Sequence, residues 1–220
     1  MEKVDVLDHG YVRLIDSMGN DLSVVRSARV SYDAAWRAGE DTGSDARLIR
    51  YLWKNHHTTP FESVTFTFEV KAPIFVFRQW HRHRTWSFNE LSARYRELPE
   101  EVYVPDFRAQ SKTNKQGSDG FIEAAENSGL KGIFAESYSI AFSAYRVALK
   151  CGVAREIARS VLPVATYSHM FCTVNLLNIL KFLTLRCDEH AQYEIRVYAD
   201  AMRDLIRPIV PVSVEAWENA

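Results

Sequence analysis

The chain has 220 residues, of which 47% are hydrophobic and 25% are charged, and these values are ordinary for a folded protein. Its formal net charge of -1 argues against a surface that attracts nucleic acid or anionic membrane as a whole, so any positive site must be local. The length favours a single domain over residues 1–220 rather than two.

We expect neither a targeting signal nor a disulfide framework. No apolar run approaches a membrane span, and the N-terminal stretch MEKVDVLDHG has acids where a secretion signal needs an apolar core. We therefore expect a cytoplasmic protein with no membrane partner. Cys151, Cys172 and Cys187 form no C-x-x-C pair, and we expect ordinary core thiols in helical surroundings rather than disulfides or a zinc site.

The first third of the chain predicts short helices followed by one strand. Residues 21–33 are typical of a short helix capped by Asp21 and followed by a loop, and residues 44–55 of a second helix. From residue 63 to residue 70, apolar and polar residues alternate, which predicts a strand with one buried face. Pro73 then favours a helix that runs into the basic end of APIFVFRQWHRHR, at residue 84.

The remaining elements are mainly helical. Residues 101–104 predict a short strand, and the polar residues 107–120 predict a long surface loop. Apolar residues then recur at helical spacing up to Gly152, residues 154–163 predict a short helix, and residues 173–207 predict one or two long helices. Together these elements predict a small antiparallel or mixed sheet packed against several helices, including a long C-terminal helical region.

One window of the sequence concentrates positive charge. Residues 78–96 contain a single acid and five arginines, Arg78, Arg82, Arg84, Arg94 and Arg96, for a local charge of +4. Every cation is arginine, whose planar fork suits phosphate and carboxylate groups. The window therefore predicts an anion site.

This window has other interpretations. The arginines are also compatible with a plain surface, or with pairing to acids elsewhere in the fold. A nucleic-acid-binding protein is the alternative function, because Trp80, Trp86 and Phe88 interleave with the basic residues as stacking platforms do. A metal pair at His81 and His83 is disfavoured, since the arginines beside them repel a cation.

Two further groups of polar residues lie on predicted helices. Asn175 and Arg186 are 11 positions apart, about three helical turns, and His190 follows at the next turn, so the three are expected on one face. The alternative is that they face solvent and pair with nearby acids. Arg155 and Arg159 are spaced by one turn. No dinucleotide, P-loop or hydrolase-elbow motif is present.

The signature of a known family spans the basic window. Arg82-His83-Arg84-x-x-Ser87-x-Asn89-Glu90-x-Ser92-x-Arg94-Tyr95 resembles the signature of flavin-dependent thymidylate synthases at all nine fixed positions. The likeness continues through the segments 28–33, 59–62, 71–80, 154–163 and 185–196.

The resemblance implies a homotetrameric α+β enzyme with sites at subunit interfaces and FAD bound between subunits. Such an enzyme makes dTMP from dUMP, with 5,10-methylenetetrahydrofolate as carbon donor and NADPH as reductant. It needs no cysteine nucleophile, and none of the three cysteines falls within the signature, in agreement with redox chemistry supplied by a flavin.

The resemblance also implies roles for individual residues. Arg186 is expected at the pyrimidine, where its cation favours ionisation of N3 and makes it the catalytic residue. Ser92 has no adjacent base to activate it as a nucleophile and is expected to bind substrate. The dUMP set is Gln79, Arg82, Glu90, Ser92, Arg94, Arg159 and Arg186. The FAD set is Ser31, Thr59, Arg82, His83, Arg84, Glu90, Asn175 and His190, with His57 at the flavin and folate end.

The chain departs from many relatives at three positions. Ser63 stands where a histidine is common, and Leu177 and Lys181 stand where basic or amide residues are frequent. These changes leave the expected dUMP residues intact. They concern the part that holds the adenine and pyrophosphate of FAD, where Lys181 is a candidate to replace a lost contact.

Overall fold

The computed structural model describes residues 2–220. A five-stranded antiparallel sheet contains, in spatial order, β1 (Lys3–Val6), β2 (Gly10–Met18), β3 (Thr65–Pro73), β7 (Tyr167–Asn175) and β4 (Ser87–Glu90). A separate hairpin is formed by β5 (Arg108–Gln110) and β6 (Ser118–Phe121).

Eight α-helices complete the described part of the chain. They are α1 (Asp21–Arg29), α2 (Thr42–Lys54), α3 (Ile74–Trp80), α4 (Ala124–Lys150), α5 (Arg155–Ala158), α6 (Leu176–Arg186), α7 (Tyr193–Ile206) and α8 (Pro211–Glu218). Short 3₁₀ turns lie at Val30–Tyr32, Ala35–Arg37, Thr59–Ser63 and Arg159–Val161. The predicted α+β class, with one antiparallel sheet and a helical C-terminal region, is confirmed. Within residues 2–220, no helix is long and apolar enough to cross a membrane.

The core lies between one face of the sheet and the helices. Phe66, Phe68 and Val70 of β3 are all fully buried, because alternate residues of a strand point to the same side. The register sets Phe68 opposite Cys172 and Val70 opposite Met170 on β7, so both strands supply the same face. The side chains of α6 and α7 cover this face and join it in one apolar cluster.

Several helices begin or end at residues other than those predicted. The helix at 21–29 is capped by Asn20, whose side chain accepts from Leu22 N at 3.0 Å. Asp21 instead accepts from the N-terminus of α8, at Val212 N (2.8 Å) and at the Ser213 hydroxyl (2.5 Å). The helix after Pro73 ends at Trp80, before the basic residues, which form a turn.

The prediction was wrong in three other regions. Residues 107–120 are not a loop throughout, because they contain most of the β5–β6 hairpin, and residues 101–104 contribute one bridge, Val102 to Thr166, rather than a strand. Residues 173–175 end β7 instead of starting a helix, and the helical stretch that follows is broken at residues 187–192. Strands β1, β2, β4 and β7 were not predicted.

The cysteines have different surroundings, and only part of the prediction holds. Cys172 is buried but lies in a strand, Cys187 is half-buried after α6, and Cys151 is exposed after α4. All three are free thiols. Burial raises the pKa of Cys172 above the ordinary thiol value and that of Cys187 to about 12, so neither forms a thiolate readily at neutral pH.

Candidate active site

The basic window, residues 78–96, is anchored to α6 by its aromatic side chains. The Trp80 ring stacks on Phe182 with centroids 5.1 Å apart, and the Trp86 ring lies 5.1 Å from the same Phe182 ring. Trp80 is 0% exposed and Trp86 6% exposed, which leaves neither ring a face for a nucleic-acid base. The alternative function, in which these tryptophans are stacking platforms for nucleic acid, is therefore not supported.

The arginines of the same segment point away from the core. Arg82, Arg84 and Arg94 are exposed on the turn after α3 and in the loop after β4. Of the five arginines in the window 78–96, only Arg94 has a carboxylate within 4.0 Å among the described residues, namely Glu156 at 3.3 Å. Pairing with acids elsewhere in the fold thus explains at most one of the five, and the others are available to an external anion.

Arg186, the last residue of α6, lies at the centre of the polar contacts. Its Nε donates to Nε2 of His83 at 3.0 Å, and its Nη2 donates to the main-chain oxygen of Gln79 at 3.3 Å. Burial, and then the Arg186 charge, lower the pKa of His83 to about 4. His83 is therefore neutral at pH 7, with Nε2 free of a proton and able to accept from Arg186.

A chain of polar contacts leads from Gln79 into the interior. Gln79 Nε2 donates to Oε1 of Gln192 at 2.5 Å, and Gln192 Nε2 donates to Oε2 of Glu194 at 2.8 Å. Glu194 is 1% exposed and is held by Arg108 Nη2, 2.8 and 2.9 Å from its two oxygens. The Tyr103 hydroxyl donates to the same carboxylate at 3.2 Å.

The sequence reasoning missed this chain of contacts. Gln192 and Glu194 lie in LRCDEHAQYEIR, and the likeness of this segment to the family was the available signal. Arg108 gave no signal, because its position was predicted to be in a loop and its partner is 86 residues away. A cleft of about 730 Å³ between the β5–β6 hairpin and residues 189–193 is lined by Gln192 and Arg108.

A second part of the site is built around α5. Arg94 reaches Glu156 on α5, and Arg159 follows directly after this helix as an exposed residue. Ser92 Oγ accepts from the main-chain N–H of Arg94 at 3.3 Å, and Glu90 ends β4 opposite Met170. Arg94 and Arg159 are therefore brought to the same side of the molecule, although they are far apart in sequence.

The predicted stripe of Asn175, Arg186 and His190 on one helix face was wrong. Asn175 is the N-cap of α6 and accepts from Asn178 N at 3.0 Å, whereas Arg186 ends that helix about 16 Å away. His190 lies beyond the helix, in a turn where its Nδ1 is 2.9 Å from Asp188. The first two residues thus mark opposite ends of one helix.

Three predicted residues lie apart from the signature. Ser31, His57 and Thr59 are exposed, and within residues 2–220 no hydrogen bond joins any of them to residues 82–95. Thr59 begins the 3₁₀ turn that leads into β3, and this turn approaches the start of α6 through Leu176 N and Val64 O, 2.8 Å apart. Thr59 is therefore on the Asn175 side of the molecule.

The departures from the signature family have distinct surroundings. Leu177 is 4% exposed and belongs to the core, so its side chain is not available to a ligand. Lys181 is exposed on α6, and the Ser63 hydroxyl donates to Pro60 O at 2.7 Å.

These features define an α+β protein with an arginine-rich, polar site at the end of one helix. A family model described as thymidylate synthase complementing protein matches residues 13–212. A flavin-dependent thymidylate synthase of Thermus thermophilus is 47% identical over 217 residues, or 98% of this chain and 78% of that protein. One of Thermotoga neapolitana is 44% identical over 98% of this chain and 94% of its own length.

A solved structure is similar over the whole chain. The UMP/dUMP methylase PolB of Streptomyces cacaoi, bound with 5-Br dUMP, has a TM-score of 0.89 and 39% identity, with coverage of 98% of this chain and 97% of that one. The chain therefore belongs to the flavin-dependent thymidylate synthase family, whose members are methyltransferases.

Proposed function

We propose that this protein methylates dUMP reductively to dTMP, with FAD as cofactor, 5,10-methylenetetrahydrofolate as carbon donor and NADPH as reductant. The observation that carries the proposal is the position of Arg186, held by His83 and by the Gln79 main chain next to arginines that lack acid partners. The similarity to named thymidylate synthases over 98% of this chain supports the same activity.

Arg186 is proposed as the catalytic residue. Its guanidinium keeps its charge although burial lowers its pKa, because arginine remains protonated in proteins. Neutral His83 takes one of its N–H groups and leaves other donors free for the pyrimidine. A fixed cation at this place stabilises negative charge on the ring as the ring attacks the methylene carbon.

The dUMP phosphate is proposed to lie near Arg94, Arg159 and Ser92. Arginine forks match phosphate oxygens, and Arg94 pairs with Glu156 of α5, three residues before Arg159. Gln79, Arg82 and Glu90 are proposed to complete the nucleotide site. Ser92 remains a binding residue in this proposal, since its Oγ accepts a main-chain N–H and no base adjoins it.

The residues present fit FAD. Arg82 and Arg84 have no carboxylate within 4.0 Å in the described chain, so they are free for a pyrophosphate, and Lys181 adds an exposed cation. The proposed FAD set is Ser31, Thr59, Arg82, His83, Arg84, Glu90, Asn175 and His190, with His57 near the flavin and folate end. FAD would supply redox chemistry that no side chain provides.

A homotetramer with sites at subunit interfaces is part of the proposal. Nine of the fourteen proposed site residues are exposed in the single chain, and Ser31, His57 and Thr59 do not reach the signature. The 27-residue helix α4 buries only Phe142 and Tyr145, while Ile133, Ile140 and Val147 are more than half exposed. Sedimentation of the purified protein tests this, and a stable monomer with bound FAD would contradict it.

A cytoplasmic location is proposed as well. Its support is the presence of three free cysteines, which reducing compartments maintain. Localisation of the tagged protein in cell fractions tests this, and recovery outside the cytoplasm would contradict it.

The activity test combines the four components with purified protein. We expect yellow protein that oxidises NADPH faster when dUMP is added and forms dTMP only when methylenetetrahydrofolate is present. Protein that stays colourless and inactive after FAD is added would contradict the proposal.

UMP is the second candidate substrate, because PolB is named as a UMP/dUMP methylase, and a parallel assay with UMP in place of dUMP separates the two.

A further inference from the structure

We infer that Glu194 and Gln192 are positioning residues that fix which atom of the Gln79 amide faces the nucleotide. The inference rests on the proposed function, in which Gln79 belongs to the dUMP site. The chain of contacts from Gln79 through Gln192 to Glu194 is called the amide relay below.

At the inner end of the amide relay, the Glu194 carboxylate only accepts hydrogen bonds. Glu194 is 1% exposed, and its two oxygens accept from Arg108, Tyr103 and Gln192. Burial, followed by the adjacent Glu194 charge, raises the pKa of Tyr103, so its hydroxyl keeps its proton and remains a donor. Because an ionised carboxylate only accepts, the group that Gln192 turns towards it must be the NH₂.

The side-chain amides of Gln192 and Gln79 are oriented in turn by this acceptor. With its NH₂ on Glu194, Gln192 presents its carbonyl oxygen to Gln79, and that oxygen takes the Gln79 NH₂ at 2.5 Å. Gln79 Oε1 is left without a hydrogen-bond partner among residues 2–220. Its main-chain oxygen accepts from Arg186, so residue 79 adjoins the proposed pyrimidine site. Gln79 is therefore set as an acceptor for a hydroxyl or ring N–H of the nucleotide.

An isolated glutamine presents oxygen or NH₂ with similar ease, so a site that must reject the wrong donor pattern needs something to fix the amide. Leaving a buried polar group unpaired is what gives hydrogen-bonding sites their selectivity. In this chain the buried Glu194 supplies that constraint, although it lies two side chains away from the ligand.

The test reverses the polarity of the relay in the FAD-loaded enzyme, with dUMP affinity measured by titration. Gln79→Glu places a carboxylate against the carbonyl oxygen of Gln192. Because Glu194 prevents the Gln192 amide from turning over, two acceptors then face each other, and dUMP affinity should fall about 10- to 100-fold. Adding Glu194→Gln permits both amides to turn, so the double variant should regain at least about fivefold. Simple relief of charge is separated by the Gln192→Leu variants below, in which residue 79 stays neutral.

A second pair of variants removes the relay without adding charge. Gln192 is exposed, so Gln192→Leu should fold, keep FAD and bind dUMP about 3- to 10-fold more weakly. If Glu194 acts through Gln192, Glu194→Gln in this background should change dUMP affinity by less than about twofold. Glu126→Gln, an exposed change of equal charge, is the control and should leave the affinity unchanged.

The outcomes separate the inference from the proposed function. Wild-type protein that fails to bind dUMP would contradict both. Wild-type binding, combined with a Gln79→Glu and Glu194→Gln double variant no better than Gln79→Glu alone, would overturn the relay and leave the proposed function standing. Strictly additive losses for Gln192→Leu and Glu194→Gln would also overturn it, because a merely structural Glu194 acts independently of Gln192.

Discussion

The basic window, residues 78–96, has two sides with opposite properties. Its aromatic side chains, Trp80 and Trp86, are buried against Phe182, whereas its arginines Arg82 and Arg84 are exposed and lack acid partners in the described chain. The comparison shows that two buried aromatic side chains are enough to fix the segment while the hydrogen-bond donors of its arginines stay free. The apolar side determines where the backbone runs, and the polar side is thereby held ready for an anion without having to be paired within the fold.

The polar side should be most sensitive at Arg186. Arg186→Ala removes the cation proposed to stabilise charge on the pyrimidine, and dTMP formation should fall by about 10²- to 10³-fold or more while FAD stays bound. Turnover and flavin absorbance are measured together, with the exposed Arg47→Ala as a control of equal charge. Loss of flavin together with activity would show that Arg186 serves the cofactor instead.

The apolar side should be most sensitive at Trp86. Trp86→Ala leaves a cavity next to Phe182 and should lower the free energy of unfolding by about 3–5 kcal/mol. Affinity for dUMP should fall too, because the segment that carries Arg82 and Arg84 loses its anchor. Chemical denaturation measures the first effect, and Phe121→Ala, at a 70% exposed aromatic, should change stability by less than about 0.5 kcal/mol. Unchanged dUMP affinity in Trp86→Ala would show that burial of Trp86 is not needed to hold the arginines in place for the nucleotide.

His83 connects the two sides and predicts a dependence of stability on pH. Its pKa is about 4 in the folded protein, below the ordinary histidine value of 6.5, so between these values the unfolded chain binds more protons. The contribution of neutral His83 to the free energy of unfolding is fully present above pH 6.5 and is lost as the pH falls towards 4. His83→Gln lacks this titration, so the loss of unfolding free energy between pH 7 and pH 5 should be smaller than in wild type. An equal loss would contradict the assignment.

The pairing of Arg94 with Glu156 predicts the smallest effect. Both side chains are about half exposed, and such ion pairs contribute little, so Glu156→Gln should release Arg94 and raise dUMP affinity by only about two- to fourfold. Titration with dUMP measures the change. Weaker binding in this variant would mean that Glu156 supports the site.

Much of the fold was predictable where one element shows a single clear period. Strand β3 alternates strictly, and Leu176–Arg186 was expected to be helical. Strand β7 was missed because its end runs directly into α6, so the period changes at Asn175, which caps the helix rather than lying within it. The β1–β2 hairpin is formed by chain far from β3 in sequence, and that pairing is a tertiary property.

The candidate site shows the same limit. The signature residues were found because they lie within 14 positions of one another, and Arg186 because a resemblance marked it. Glu194, Gln192 and Arg108 were missed, since the contact between Arg108 and Glu194 joins residues 86 positions apart across a hairpin that was predicted to be a loop. Long-range ion pairs leave no periodic trace in a sequence.

The central claim is that the exposed arginines bind the phosphate of a nucleotide, and affinity for dUMP relative to deoxyuridine, which lacks the phosphate, tests it most directly. Wild-type protein loaded with FAD should bind dUMP at least about 10- to 100-fold more tightly than deoxyuridine, since phosphate-arginine contacts are strong hydrogen bonds. Arg94→Ala should lose most of this preference, with deoxyuridine affinity nearly unchanged. Equal affinities of the wild-type protein for the two ligands would contradict the account.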